Sequence, residues 1–383
     1  MQNRLTGTTA SLEVQPDGTG IPAGAHPLNS GRTLVLAFAG PDVTSECAAF
    51  AKLRGAFPDG IMLGCSTSGH MFGSRLGDST ISVAAKRFEH TDLSLATAPV
   101  RGAEDSFIAG RTLGEQLKRE GLAGVFVLSD GLKVNGSELV RGMTEVLGPG
   151  VVITGGLAGD GARFQKTWLV ANGRVQTDCV VAVGFRGGRV RIGHGTRGGW
   201  DVFGVQRTVT ESRNNVLFKL DGRPALEVYK KYLGERAAEL PASALLFPLC
   251  ISKPESPEHG LVRTILSVNE TDQSMTFAGD IPEGARAMFM KANPDRLVNA
   301  ATEAGTDATG EGSSEPLLVA VSCVGRRLVL GPRAVEEAEN LSECLPVGGA
   351  LAGFYSYGEL APSATGFCSL HNQTMTVTAL WEE

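Results

Sequence analysis

One order of predicted elements occurs three times in the chain, and this internal repeat constrains the fold more than any other feature. Each unit consists of an apolar strand, a helix, a second apolar strand, a glycine-rich loop and then further strands. The first strands begin with Thr33-Leu-Val, Gly124-Val-Phe and Leu317-Leu-Val, and the helices are expected near Thr44–Phe57, Gly136–Leu147 and Arg333–Cys344. This order predicts a mixed α/β (α+β) protein in which repeated β-α-β-loop-β units form two packed domains, not a regular doubly wound sheet.

A similar loop follows the second strand of each unit. The three loops cover residues 64–70, 154–160 and 353–359, and each has glycine sixth and an ionisable residue seventh. Strands break into small residues where the backbone must approach a ligand or another strand closely. A tight strand-to-strand turn explains any one loop equally well, but three equivalent loops favour a ligand site if they converge. The loop residues that we predict as ligand contacts are Cys65, Ser66, Thr67, His70, Gly156, Asp160, Tyr355, Tyr357 and Glu359.

Three polar residues at strand ends outside these loops are further candidates. Asp130, like the ionisable loop residues, could bind an amine or orient a polar ligand, although Asp-Gly sequences also favour turns. Arg326 could bind an anion or lower the pKa of Cys323, although a buried strand cysteine is the commoner outcome. An enzyme or covalent carrier that uses Cys323 is the less favoured alternative, since no paired acid and base occur at a recognisable spacing.

Composition excludes several classes of partner. The formal net charge of −6 argues against nucleic acid, because neutralising phosphates requires a basic face. No apolar run reaches the ~18–20 residues that a membrane span needs, so no membrane insertion is expected. The seven cysteines are widely spaced, odd in number and without a CxxC pair, which is typical of reduced thiols in a cytoplasmic protein.

Local signals divide the chain further. Residues 1–30 are polar and are expected to form a flexible tail. Asp221-Gly222 precedes an amphipathic helix and marks a domain junction, which gives domains of residues 31–220 and 221–383. Asn172-Gly173 predicts a type I′ hairpin, and residues 303–315 predict a polar surface loop.

An ordered set of motifs along these domains resembles the FIST family, whose members carry paired FIST N (here 31–220) and FIST C (here 221–383) domains. The motifs are Gly64–Gly69, Leu128–Gly131, Gly155–Asp160, Val209–Ser212, Leu220–Tyr229, Phe277–Gly284, Ser322–Arg326, Leu351–Glu359 and His371–Met375. The resemblance implies an intracellular sensor that binds a small molecule, such as an amino acid, and regulates a partner signalling protein. Histidine kinases, cyclic-di-nucleotide enzymes and chemotaxis receptors are the companions that it implies.

One stand-alone bacterial branch of the family is similar in length and layout, and it binds haem, senses nitric oxide and controls a histidine kinase. If haem is the cofactor here, His194 or His371 is the candidate axial ligand, although each alone is more often a hydrogen-bonded structural histidine. His70 departs from the family, whose equivalent loops usually end in Gly-Glu, and it places an imidazole where a carboxylate is usual. A pure scaffold remains a further alternative, and the apolar C-terminal strand would suit a homodimer.

Overall fold

The computed structural model describes residues 4–240, 242–310, 313–363 and 366–383. These residues form helices and four sheets, which confirms the predicted mixed α/β class. Three of the sheets are built from the three repeated units, here called the threefold body, and the fourth belongs to residues 201–291, here called the insert. No helix among the described residues is long and apolar enough to cross a membrane.

The bounds of the elements follow the chain. Before and within the first unit lie β1 (Arg4–Thr6), β2 (Thr9–Val14), β3 (Thr33–Ala39), α1 (Ala49–Ala56), β4 (Ile61–Ser66), β5 (His70–Phe72), β6 (Arg75–Gly77), β7 (Ile81–Arg87) and β8 (Asp92–Pro99). The second unit has α2 (Ser106–Leu117), β9 (Leu122–Ser129), α3 (Gly136–Leu147), β10 (Val152–Leu157), β11 (Leu169–Ala171), β12 (Arg174–Gln176), β13 (Cys179–Arg186) and β14 (Val190–Arg197).

The insert and the third unit complete the chain. The insert has β15 (Asp201–Arg213), β16 (Val216–Leu220), β17 (Arg223–Pro224), α4 (Ala225–Leu233), β18 (Leu249–Lys253), β19 (Ser256–Arg263), β20 (Ile265–Asn269), β21 (Ser274–Phe277) and β22 (Arg286–Lys291). The third unit has α5 (Pro294–Thr309), β23 (Leu317–Cys323), α6 (Val324–Leu330), α7 (Val335–Glu343), β24 (Ala350–Ser356), β25 (Gly358–Pro362), β26 (Cys368–His371) and β27 (Met375–Glu382). Short 3₁₀ turns cover Ala103–Asp105, Gly234–Glu239, Ala242–Leu246 and Gly331–Ala334.

The three units exchange strands in a cycle. The parallel pair β3–β4 of the first unit is extended by the hairpin β11–β12 of the second, β9–β10 by β25–β26 of the third, and β23–β24 by β5–β6 of the first. Each sheet also receives one further strand from outside its own unit. Strand β8 of the first unit joins the second sheet, and β14 of the second unit joins the third sheet. Strand β2, at the N-terminus, joins the first sheet. Because every unit completes its neighbour's sheet, the three cannot separate without breaking strand pairs.

A single apolar core lies between the three sheets. It includes Phe38 from the first unit, Phe126 from the second and Phe354 from the third, all fully buried. The rings of Phe38 and Phe354 lie 4.6 Å apart. The outer faces are covered by α1 on the first sheet, by α2 and α3 on the second, and by α5 and α7 on the third. Burial on both faces explains the continuous apolar runs of the central strands.

Several local predictions are confirmed. The helix predicted over Gly136–Leu147 has those bounds, and its cap residue Asn135 accepts hydrogen bonds from two backbone N–H groups of the first turn. Asn172 and Gly173 both have positive φ, 47° and 79°, as a type I′ turn requires. The parallel first and second strands of each unit occur as predicted.

Two local expectations differ from the structure. Residues 4–14, which we expected to belong to a flexible tail, form β1 and β2, because Leu12 and Val14 are buried beside β7 in the apolar cluster between the first sheet and α1. Residues 303–309, expected in a surface loop, are the end of helix α5, since Ala304 and Ala308 face the third sheet. Residues 311 and 312 of that predicted loop lie outside the described residues.

Candidate functional site

The three glycine-rich loops, which we considered as a ligand site if they converged, do meet at one end of the shared core. The backbone hydrogen bonds that join them run from Ser68 N to Tyr355 O, from Gly159 N to Ser66 O and from Tyr357 N to Leu157 O, at 2.8, 3.0 and 3.2 Å. Each loop therefore bonds to both others. We call residues 64–70, 154–160 and 353–359 together the three-loop junction.

The three-loop junction is closed by its own contacts. The predicted contact residues that are at most 5% exposed are Cys65, Ser66, Thr67, His70, Asp130, Asp160, Cys323, Arg326, Tyr355 and Glu359. A Cβ atom at Gly156 would lie 2.7 Å from the Cγ1 atom of Val321, so a single methyl group does not fit there. The glycines thus let strands of different units approach one another, which was the alternative to a ligand site.

Asp160 and Tyr357 illustrate how most polar groups of the junction satisfy one another, although Nδ1 of His70 has no partner within the described residues. The carboxylate of Asp160 accepts hydrogen bonds from the N–H groups of Phe164, Gln165 and Lys166, at 2.8, 2.9 and 2.9 Å, and from the hydroxyl of Tyr357. Burial alone would raise the pKa of Asp160, but these hydrogen bonds outweigh it and lower the pKa below its usual value. The ionised carboxylate thus holds the backbone of the segment that follows it, residues 164–166, in place.

Asp130 and Thr67 have equally local roles. One carboxylate oxygen of Asp130 accepts hydrogen bonds from the N–H groups of Leu132 and Lys133, both at 2.8 Å, which closes the turn after β9. The hydroxyl of Thr67 donates to the carbonyl of Ala39 at 2.7 Å. Both side chains hold the backbone in place.

Cys323 and Arg326 do not form a reactive pair. Burial raises the pKa of the Cys323 thiol well above its usual value, which opposes formation of a thiolate. The guanidinium of Arg326 is fully buried and forms an ion pair with Glu337, with 2.6 Å between Nη2 and Oε1. It also donates to the carbonyls of Gly198 and Leu297. Since these partners occupy its donors, Arg326 holds the protein together instead of presenting a site for an anion.

His70 and Glu359 occupy matching places in two exchanged hairpins. The Nε2 atom of His70 lies 2.8 Å from the hydroxyl of Thr80. The Oε2 atom of Glu359 accepts a hydrogen bond from the hydroxyl of Thr374 at 2.9 Å. Burial lowers the pKa of His70 to about 4 and raises that of Glu359 to about 8. Burial thus favours the neutral form of both groups. The imidazole that replaces the usual family carboxylate is therefore a buried, uncharged counterpart of Glu359.

The structure has its large cavity elsewhere, between the threefold body and the insert. This cleft has a volume of about 1170 Å³. Its walls are helix α3, strand β14, the hairpin β25–β26 and strands β18 and β19 of the insert. Apolar side chains on these walls are Val140, Ile251, Leu261, Val262, Pro282 and Phe367. Charged side chains line it as well, namely Arg141, Arg197, Arg263, Glu145, Glu255, Asp280 and Asp307. A recess between two domains with apolar walls and polar groups is a usual place for a ligand site.

Arg263 is the most unusual polar group of the cleft. It is 5% exposed, and none of its atoms forms an ion pair with a carboxylate of the described residues. Its donors reach only carbonyl oxygens, those of Leu370 at 3.0 Å, Asp280 at 3.3 Å and Val262 at 3.4 Å. Burial lowers the pKa of Arg263 to about 10, but the group remains a cation at neutral pH. The carboxylate of Asp280 lies near enough to offset part of this lowering, but it forms no direct ion pair with Arg263. A buried cation without a direct ion pair favours a ligand that supplies one.

Two hydroxyls and two histidines accompany Arg263. Ser252 and Thr196 line the cleft, and their side-chain oxygens are buried without a hydrogen-bond partner within the described part of the chain. His194 and His371, which we considered as haem ligands, line the same cleft. His371 is buried, with Nε2 at 3.1 Å from the carbonyl of Ala361, and burial lowers its pKa to about 4. His194 is exposed on the opposite wall.

Sequence reasoning missed Arg263, Ser252 and Thr196 entirely. The run Leu261-Val-Arg-Thr-Ile contains one signal, an arginine inside an otherwise apolar, β-branched strand, which is rare without a partner. The cleft itself has no signal in the sequence, because residues from several distant segments form it.

The chain is similar in part to known proteins, one by sequence and one by structure. An uncharacterized protein of Methanocaldococcus jannaschii is 25% identical over 206 residues, which cover 50% of this chain and 39% of that protein. The chain thus matches well under two thirds of that relative's length. A crystal structure of cyanuric acid hydrolase from A. caulinodans aligns over 98% of this chain and 99% of its own, with 10% identity and a TM-score of 0.34. A likeness this weak carries no argument about fold or function.

The family comparison is specific. The FIST N domain matches residues 33–223 and the FIST C domain matches residues 225–362. Together these matches span most of the chain and include the motifs of the three-loop junction. The chain belongs to the FIST family, whose domains are sensor domains of signal transduction.

Proposed function

We propose that the protein is a sensor that binds a small anionic ligand in the cleft between the threefold body and the insert. The proposal assigns recognition to Arg263, assisted by Ser252 and Thr196, and not to the three-loop junction. The observation that carries it is the buried guanidinium of Arg263, which lines the cleft and has no carboxylate partner among the described residues. A carboxylate or phosphate placed there would form charge-assisted hydrogen bonds in a partly dry environment.

The connections between the two parts of the protein suggest how binding is reported. The chain enters the insert after Gly198 and leaves it before Leu297, and Arg326 donates a hydrogen bond to the carbonyl of each. Trp200, in the entering connection, donates from Nε1 to Gln373 at 2.7 Å. Gln373 lies in the segment between His371 and Thr374, both of which line the cleft. A ligand that shifts this segment would therefore change the position of the insert.

The output in this proposal is altered docking to a signalling partner. A ligand changes docking only to the extent that it binds one conformation of the insert more tightly than another. The family resemblance implies a histidine kinase or a cyclic-di-nucleotide enzyme as that partner. We propose binding and not catalysis, because the thiol that an enzyme or covalent carrier would use, that of Cys323, is buried.

Thermal unfolding in the presence of simple anions tests the binding site. The probes are the twenty amino acids, citrate and inorganic phosphate, each added to the full chain and to Arg263→Met. At least one probe should raise the midpoint of wild-type unfolding and leave that of Arg263→Met unchanged. Arg207→Met is the matched control, since Arg207 lies in the insert, pairs with Asp221 at 3.0 Å and does not line the cleft.

A stabilising probe that acts equally on wild type and Arg263→Met would contradict this assignment. Arg263→Lys is a second variant that keeps the test informative if Arg263→Met folds poorly. It keeps the charge but loses the planar fork, so it should fold and bind more weakly than wild type.

Haem binding is the second candidate function, and the position of the two histidines favours it. His194 and His371 face one cleft, and no hydrogen bond joins the imidazole of His194 to a residue that the structure describes. The donor set and the apolar walls fit a haem, with His194 better placed as axial ligand because Nε2 of His371 contacts a carbonyl. A bound iron would supply the binding position for a diatomic gas such as nitric oxide.

Absorption spectroscopy separates the two candidates. Purified protein mixed with haemin should show a Soret band that survives gel filtration and is lost in His194→Ala, while the control His90→Ala keeps it. His90 lies in the turn before β8, outside the cleft. Failure of the protein to retain haemin would remove this candidate and leave the first one standing.

A further inference from the structure

Three strands that line the cleft are each the last strand of a sheet. Strand β14 ends the third sheet of the threefold body, β26 ends the second, and β19 ends the sheet of the insert. Each pairs with one neighbour only, β27, β25 and β18 respectively. Three sheet edges from different parts of the chain thus border one cavity.

The lining residues show how these strands face the cavity. Consecutive residues of each strand line it: His194–Arg197 in β14, Gly260–Arg263 in β19 and Cys368–His371 in β26. Side chains of a strand alternate between its two faces, so a cavity against one face would be lined by every second residue. Unbroken runs indicate that the cavity meets the strands edge-on, where alternate N–H and C=O groups point away from the sheet.

These outer backbone groups are largely unused. Within residues 4–240, 242–310, 313–363 and 366–383, no backbone–backbone hydrogen bond leaves the lining runs of β14, β19 or β26 on their outer side. Three carbonyls of these runs accept from arginine side chains: those of Leu370 and Val262 from Arg263, and that of Thr196 from Arg197. Unpaired edges are normally blunted by charge or covered, because they pair with any extended chain that reaches them.

The size of the cleft leaves room for a ligand larger than a metabolite. Its volume of about 1170 Å³ exceeds the ~300–1,000 Å³ that is usual for small-molecule sites. The other two cleft arginines have carboxylate partners: Arg141 pairs with Glu138 and Arg197 with Asp307. Arg263 forms no such ion pair within the described residues, although the carboxylate of Asp280, which also lines the cleft, partly offsets the effect of burial on its pKa. A carboxylate of the ligand can therefore pair with Arg263 directly.

We propose that the cleft binds an extended peptide segment of a partner protein, which adds as a strand to one of these edges and places a carboxylate against Arg263. The carboxylate belongs to an acidic side chain or to a C-terminus. Main-chain hydrogen bonds then supply affinity and Arg263 supplies the register, as in other cases of strand addition. This inference rests on the proposed function, in that the cleft is the binding site, and it names the class of ligand.

A library of random dodecapeptides displayed on phage, selected against the full chain, tests the inference. The most enriched peptide is synthesised with a fluorophore, and its binding is measured by anisotropy. Replacing its acidic group by the amide should weaken binding to wild type about tenfold and leave binding to Arg263→Met unchanged. N-methylation of every second amide should weaken binding at least tenfold in one of the two possible sets of positions and little in the other, because only alternate amides meet a strand edge.

Three outcomes would overturn the proposal: no enriched peptide, binding that is equal in Arg263→Met and wild type, or equal tolerance of both N-methylated sets. Arg207→Met should bind as wild type does. The amide substitution is made in the peptide, so it remains informative if Arg263→Met folds poorly. If citrate, phosphate or an amino acid stabilises the protein through Arg263 while no peptide binds, the proposed function stands and the peptide inference fails. If neither binds, both fail.

Discussion

The three-loop junction and the cleft contain similar residue types in opposite states. At the junction, the carboxylate of Asp160 has four hydrogen-bond donors, and Gly156 has no room for a methyl group. In the cleft, Arg263 has no ion pair among the described residues, and the hydroxyls of Ser252 and Thr196 have no hydrogen-bond partner there. Satisfied polar groups stabilise a fold, whereas unsatisfied ones at a cavity are available to a ligand.

This difference changes the meaning of the glycine-rich loops. Their common pattern arises because the three units exchange hairpins at equivalent places. Glycine is needed where strands of different units cross. Substitutions at the junction and its neighbours should therefore alter stability, and those in the cleft should alter binding.

The largest effect is expected at Arg326, next to the junction. Arg326→Met leaves Glu337 buried without its cation and releases the carbonyls of Gly198 and Leu297. We expect the free energy of unfolding in urea to fall by about 3–5 kcal/mol. The control is Arg296→Met, which removes an exposed ion pair to Asp201 and should cost no more than about 1 kcal/mol. Equal losses in the two variants would show that the buried pair has no special role.

Gly155→Ala should produce the next largest loss. Gly155 has φ of +149°, and a Cβ atom there would lie 1.9 Å from the carbonyl oxygen of Val127 in the neighbouring strand. Strain and overpacking together should lower the free energy of unfolding by about 2–4 kcal/mol. Gly188→Ala is the matched control, because nothing lies within 4 Å of its added methyl group and it should change stability by less than about 0.5 kcal/mol.

The pH dependence of stability should differ between the two matching groups of the junction. The folded state raises the pKa of Glu359 from 4.5 to about 8, so it holds a proton that the unfolded chain releases. Its contribution to the free energy of unfolding is complete below pH 4.5 and is lost as the pH rises to 8. Over this window the free energy of unfolding falls by up to about 1.4 kcal/mol per pH unit. Glu359→Gln should remove this slope in urea unfolding measured across that window.

His70 should act with the opposite sign. Burial lowers the pKa of His70 from 6.5 to about 4. Its contribution to the free energy of unfolding is therefore present above pH 6.5 and is lost as the pH falls to 4. His70→Gln should reduce the loss of stability on acidification, part of which remains because His371 also has a lowered pKa. A steeper acid loss in His70→Gln than in wild type would contradict the neutral, buried imidazole.

The smallest effect on stability is expected in the cleft. Ser252→Ala removes a buried hydroxyl that has no partner in the described structure, so stability should stay within about 0.5 kcal/mol of wild type or rise slightly. Binding of a stabilising anion or peptide should nevertheless weaken. Loss of more than about 1 kcal/mol would mean that the hydroxyl has a structural partner, and it would blur the contrast with the junction.

The sequence was informative about elements and poor about their partners. The apolar runs of β3, β9 and β23 and the cap at Asn135 are local signals, and they predicted the strands and α3 well. The exchange of β5–β6, β11–β12 and β25–β26 depends on pairing between distant segments, which no local pattern encodes. The end of α5 was missed because its alternating small and polar residues, around Ala304 and Ala308, resemble a loop until the packing surface is known.

The candidate site was predictable only in part. The equivalence of the three loops suggested a site if they converged, but spacing alone did not establish that they do, and their closure depends on side-chain contacts across units. The cleft depends on the position of the insert, so its central residue Arg263 could be recognised in the sequence only as a charge within an apolar strand.

Hydrogen–deuterium exchange with and without ligand tests the central claim most directly. The ligand is the peptide selected above, or the stabilising anion if no peptide is found, and exchange is followed over seconds to minutes, when exposed amides dominate. The account predicts slower exchange in segments 194–197, 260–263 and 368–371, with little change in 64–70, 154–160 and 353–359. Slower exchange confined to the three-loop junction, with the cleft strands unchanged, would contradict it.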